Sequence, residues 1–170
     1  MYEILIPIFI IVTLLIIYKI YNNLKPRIRK QKIFQMISER LDANNSDIQL
    51  SNSKSYDFTL TINNEVYALK IVSIEKNSEI TINNPVTWEM HFGGGEYIGK
   101  PYRHHRYLRE VVPFLKLKTE AKKIVIVTPD AKRILKWINE SEMIIVSPNQ
   151  TIDGVRIMNI DDFFNFILLT

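Results

Sequence analysis

A chain of 170 residues, 46% hydrophobic and 24% charged, is long enough for one hydrophobic core and too short for several. The absence of cysteine fits a reducing compartment and leaves no thiolate for a zinc site. The net charge of +4 invites a nucleic-acid reading, but residues 1–32 hold six bases against one acid, and the rest hold sixteen against seventeen.

The first element in chain order is the apolar run from Ile4 to Tyr21, interrupted only by Lys19 and followed by Lys25, Arg27, Arg29, Lys30 and Lys32. Its helical length of about 27 Å approaches the roughly 30 Å of a bilayer's hydrocarbon core. A secretory leader would have a basic start and a small-residue cleavage site, whereas this run begins beside Glu3 and no alanine or glycine occurs before Ala43. A buried core helix is the other alternative. The run therefore predicts one transmembrane helix over 4–21, a basic juxtamembrane linker over 22–32 and a domain over 33–170. Positive charge on the linker places that domain in the cytoplasm, with the lipid bilayer and other membrane proteins as expected partners.

Ile28, Ile33, Phe34, Ile37 and Leu41 recur at helical spacing until Asn44-Asn45-Ser46 stops them. Residues 56–62 and 65–74 then alternate as strands around Asn63-Asn64, which predicts an antiparallel hairpin. Residues 75–101 read as a loop or flap, since they hold Gly93, Gly94, Gly95 and Gly99. The triple glycine lacks the Gly-Lys-Ser/Thr continuation of a phosphate-binding loop. A helix over 102–117, a central strand over 124–128, a helix from Pro129-Asp130 to Asn139, a strand over 143–146, an edge strand over 155–158 and a helix capped by Asp161 complete the series. That order predicts a mixed-sheet α/β domain.

Charge inside the domain concentrates in residues 100–123, where eight bases meet two acids. Arg103, His104, Arg106 and Arg109 of this stripe are the candidate binding residues, with nucleic acid as the expected partner. Trp88, Tyr97, Tyr102 and Tyr107 either stack on bases or pin the flap to the core. His91, His104 and His105 make a poor zinc set.

The sharpest polar placement is Asp57 on the first hairpin strand and Lys70 on the second. An acid and a lysine facing each other across adjacent strands can hold a divalent ion and steady an attacking water. The bland alternative is a cross-strand ion pair. On these residues the chain resembles the restriction-endonuclease-like PD-(D/E)xK superfamily, nearest to its nuclease-related NERD-type domains, over about residues 30–168. In that family an early helix precedes an aspartate-bearing strand. A Glu-x-Lys strand, a helix bearing glutamine and a Val/Ile strand follow.

The resemblance implies Asp57 as metal-binding and, with Lys70, catalytic. It puts a Mg²⁺ ion at the site of an active enzyme, a helix opening at Lys100-Pro101-Tyr102-Arg103-His104, and Glu39 as the glutamate of the early helix. The motif glutamate, however, is replaced by Ala68 in Ala68-Leu69-Lys70. A single carboxylate is a poor Mg²⁺ site, so Glu75, Glu89 or Glu96 would have to substitute. The expectation is a membrane-anchored, nuclease-like fold acting as a non-catalytic binding or scaffold module without a cofactor. The alternatives are an active Mg²⁺-dependent nuclease and an unrelated small α/β subunit of a membrane complex.

Overall fold

The computed structural model describes residues 2–41, 46–94, 101–139 and 141–169, with the side chains of 2–10, 22 and 23 outside that description. It divides into two units, residues 1–36 and 37–170.

In the first unit the backbone is helical. Helix α1 (Tyr2–Ser38) runs for 37 residues. The expectation of a transmembrane segment is corrected here: among the described residues, no helix is long and apolar enough to cross a membrane. Helix α1 also carries Lys25, Arg27, Arg29 and Lys30. The single-pass assignment and the cytoplasmic placement rested on that segment, and both fall with it.

The second unit is built from strands. β1 (Ser46–Leu50), β2 (Phe58–Ile62) and β3 (Glu65–Ser73) form an antiparallel meander. Asn63 and Asn64 turn the β2–β3 hairpin with φ of 48° and 67°, the left-handed pair that a two-residue turn matched to strand twist requires. β4 (Glu79–Asn84), β5 (Thr87–Phe92) and β6 (His104–Tyr107) follow, then a 3-10 turn Arg109–Val111 and the four-residue helix α2 (Val112–Leu115). The chain continues through β7 (Lys122–Thr128), β8 (Arg133–Asn139), β9 (Glu142–Ile145), β10 (Thr151–Ile152) and β11 (Val155–Asn159) into helix α3 (Ile160–Leu169).

These strands form two mixed sheets rather than one. The first has the order β1-β2-β3-β7-β11-β10, with β7 parallel to both β3 and β11. The second has the order β6-β5-β4-β8-β9, with β4 and β8 parallel. Strand periodicity gives the first sheet two apolar faces. One, with Phe58, Leu69, Ile124 and Ile126, lies on the side of α3, which packs on β7 and β11 and sets Phe166 edge-on to Tyr67. The other, with Ala68, Val72, Val125 and Ile157, joins a single buried cluster with Ile80, Ile82, Trp88 and Met90 of the second sheet.

Two expected elements change type. The stretch 102–117 is not a long helix: it enters as β6, and Pro113 sits in the first turn of α2, where a missing donor costs little. The stretch from Asp130 to Asn139 becomes β8, because Ile134 faces the shared core between the sheets. The expected loop over 75–101 contains the β4–β5 hairpin, while Gly95 and Gly99 lie outside the described residues.

Candidate functional site

Asp57 stands just before β2, and backbone bonds lock it in place. Its N–H donates to the Leu69 carbonyl at 2.8 Å, and its carbonyl accepts from the Ser51 N–H at 3.0 Å. Its Oδ2 accepts from the Ile71 N–H at 2.8 Å and lies 3.7 Å from Lys70 Nζ. At that separation the two charges form an ion pair rather than a hydrogen bond. Their side chains are 6% and 9% exposed. Lys70 belongs to the β3 face that looks toward the second sheet, with Val125 beside it on β7. The sequence thus anticipates the pairing of these two residues across the β2–β3 hairpin, with Asp57 one residue before β2 rather than in it, and the pair is buried rather than lining an open cleft.

Ala68, in the motif-glutamate position, lies between Thr59 of β2 and Lys123 of β7. Burial pushes the Lys123 pKa down, and its ammonium donates to the carbonyls of Leu115 at 2.8 Å and Leu117 at 3.4 Å, closing the end of α2. A cavity of about 540 Å³ opens over this corner, bordered by Tyr56, Thr59, Ala68, Thr119 and Lys122. Of the proposed replacement carboxylates, neither of the two that are described, Glu75 and Glu89, is placed beside Asp57. Glu75 is exposed beyond β3, Glu89 accepts from Asn83 Nδ2 at 2.7 Å on the second sheet, and Glu96 lies outside the described residues. Glu39 is exposed in the turn after α1. Among the described residues no three His, Cys, Asp or Glu side chains cluster as a metal site.

The four candidate binding residues separate. Arg103 and His104 border a cavity of about 660 Å³ together with Lys76, Asn77 and Lys132. Arg106 is held by Glu110 at 3.0 Å and by the Ser73 carbonyl at 3.2 Å, tying β6 to the end of β3. Arg109 borders a smaller cavity of about 290 Å³ beside Trp88 and Tyr107. The basic stripe is therefore not one helical face, since β6 sends alternate side chains to opposite sides. Of the aromatics, Trp88 is core, Tyr107 is exposed, and Tyr97 lies outside the described residues.

Sequence reasoning missed a polar cluster on the outer face of the second sheet. Glu79 is only 6% exposed, yet Arg133 Nε donates to it at 2.5 Å and the Tyr102 hydroxyl at 2.9 Å. Burial, and then this bond to Glu79, raise the Tyr102 pKa. The His91 ring stands 5.9 Å from Tyr102 and 6.4 Å from the His105 ring. Period-two spacing of Glu79, Thr81 and Asn83, and of Thr87, Glu89 and His91, was the signal that would have found this face.

No family model, curated protein or solved structure matches the chain.

Proposed function

We propose that residues 37–170 form a non-catalytic relative of the restriction-endonuclease-like domains, used to bind rather than to cleave. The observation that carries this reading is the Asp57–Lys70 pair across the β2–β3 hairpin, Asp57 just before β2 and Lys70 in β3, with Ala68 in the place of the second carboxylate. A lone carboxylate already engaged by Lys70 and the Ile71 N–H has little capacity left for Mg²⁺, which favours several oxygen ligands in a near-octahedral set. Burial on the face toward the second sheet adds a second obstacle, because a phosphodiester must approach the metal and the attacking water together. Binding then falls to exposed cations such as Arg103 and Lys132.

A Mg²⁺- and Mn²⁺-dependent cleavage assay on DNA and RNA tests this reading. Folded protein is expected to leave both intact, and cleavage abolished by Asp57→Ala and by Lys70→Ala would establish an active nuclease instead.

One observation favours an unrelated α/β domain. Where the family layout has a helix between the hairpin and the Val/Ile strand, this chain inserts β4, β5 and β6 and only four residues of α2. On that reading Asp57 and Lys70 are structural alone, and restoring a carboxylate at position 68 creates no metal response.

A further inference from the structure

The cavity of about 660 Å³ is walled by three connections that meet at one end of the second sheet. The β3–β4 turn contributes Lys76 and Asn77, the β5–β6 connection contributes Gly93, Gly94, Arg103 and His104, and the β7–β8 connection contributes Lys132. Lys76, Arg103 and Lys132 thus bring three basic side chains to the border of one volume. Like charges gathered in a concavity raise the local potential and concentrate anions there.

The walls are fixed to one another. The Lys132 N–H donates to the Ser78 carbonyl at 2.8 Å, and the Ser78 hydroxyl and N–H both donate to the Glu75 carbonyl. Ser78 is fully buried, and Asn77 takes a φ of 61°, so the turn presenting Lys76 is anchored rather than a loose surface arm. On the opposite wall, His104 pairs with Phe92 across β5 and β6, and their rings lie 5.2 Å apart. Gly94 has no room for a side chain, since a Cβ there would sit 2.6 Å from the Pro101 carbonyl oxygen. Gly93 has a φ of 75°, and a Cβ would meet the His104 ring at 3.0 Å. Both positions on this wall are thus ones that a side chain would crowd or strain.

We infer that this cavity is a binding site for a phosphate monoester of about mononucleotide size. The volume falls within the roughly 300–1,000 Å³ of small-molecule sites. A phosphate monoester carries about −1.5 to −2 charges near pH 7 and three acceptor oxygens, which suits two ammonium groups and a guanidinium better than a singly charged diester does. A free mononucleotide and the 5′-phosphorylated end of a strand share this chemistry. The inference deepens the binding role proposed above and shares its cations Arg103 and Lys132, but it does not depend on Asp57 or Lys70, so the cleavage assay and the binding assay can fail separately.

The test is titration of the full chain, at low ionic strength, with inorganic phosphate, adenosine monophosphate, and short single-stranded DNA with and without a 5′-phosphate. Binding of the mononucleotide, with amide shifts at Gly93 and Gly94, is the expected result. Each of Lys76→Ala and Lys132→Ala should weaken it about tenfold, as expected for loss of one charge-assisted contact. Preference for the 5′-phosphorylated oligonucleotide over both the mononucleotide and the 5′-hydroxyl strand would assign the source to strand ends. Binding that ignores the 5′-phosphate and survives both substitutions overturns the site, as does no response to any probe. Because Lys132 adjoins the anchored turn, Lys76→Glu is the second variant. It lies on an exposed turn position, and unchanged mononucleotide affinity in it also overturns the site.

Discussion

Asp57 Oδ2 stands 3.7 Å from Lys70 Nζ, and the same oxygen accepts the Ile71 N–H, so one carboxylate neutralises one buried lysine and fixes the β2–β3 hairpin. Removing one member of a buried pair leaves the other charged and desolvated. Asp57→Ala is therefore expected to cost about 3–5 kcal/mol of unfolding free energy. Lys70→Met, costly alone for the same reason, should recover much of that loss when combined with Asp57→Ala, because no uncompensated charge remains. Urea denaturation of the two single variants and the double variant measures the coupling. Additive losses would show that the pair is not energetically linked.

The hairpin turn makes a second, smaller prediction. Asn64 holds a φ of 67°, a conformation that costs a β-branched residue about 1–2 kcal/mol. Asn64→Val should destabilise the domain by about that amount, while Asn64→Gly should be neutral or stabilising, since Asn-Gly is the favoured pair for this turn. Thermal unfolding midpoints of the two variants should fall on opposite sides of the wild type, or Gly should match it. Equal losses in both would contradict the assigned turn.

Alkaline stability is set partly by Tyr67. Burial, reinforced by its hydrogen bond to Glu65, pushes the phenol pKa up to about 12 from an ordinary value near 10. The folded state then holds a proton that the unfolded chain releases. The contribution is fully present below pH 10 and is lost as pH rises through about 12. Wild-type stability should fall across that window more steeply than that of Tyr67→Phe, measured by denaturant unfolding at several pH values between 9 and 12. Parallel curves would show that Tyr67 does not titrate with folding.

What the sequence made legible follows from how local each signal is. The β2–β3 hairpin was readable because strict alternation meets an Asn-Asn turn, and the placement of Asp57 opposite Lys70 came with it. The central strand β7 was readable because Ile124 to Val127 are buried on both faces of a parallel sheet. β8 was not, since Ile134, Leu135, Trp137 and Ile138 suit either period, and its parallel pairing with β4 decided the matter from 54 positions earlier in the chain. The β4–β5 hairpin was obscured by the glycines that follow it, although Ile80 and Ile82 alternate plainly. A two-residue apolar rhythm within a supposed loop was thus the better guide than glycine content. The membrane segment was read from hydropathy alone, and among the described residues no helix is long and apolar enough to cross a membrane. The separation of Arg103, Arg106 and Arg109 into three environments depended on β6 being a strand, which no local charge pattern reveals.

Position 68 offers the direct test of the nuclease-like reading. Ala68 is 2% exposed, but it borders a cavity of about 540 Å³ and neighbours Lys123, so a glutamate there has both space and a nearby cation. Ala68→Glu is expected to fold with a loss of about 1–3 kcal/mol from the larger buried side chain. With Asp57 and Lys70 retained, it would present two carboxylates and a lysine from adjacent strands, and two carboxylates are a workable Mg²⁺ or Mn²⁺ set where one is not. Millimolar Mn²⁺ should then raise the melting temperature of Ala68→Glu while leaving the wild type and Ala68→Gln unmoved, because a ligand that binds only the folded state stabilises it. A glutamate variant that responds to Mn²⁺ no differently from the glutamine variant would mean that positions 57, 68 and 70 do not form a metal-site geometry, and the resemblance would lose its chemical basis.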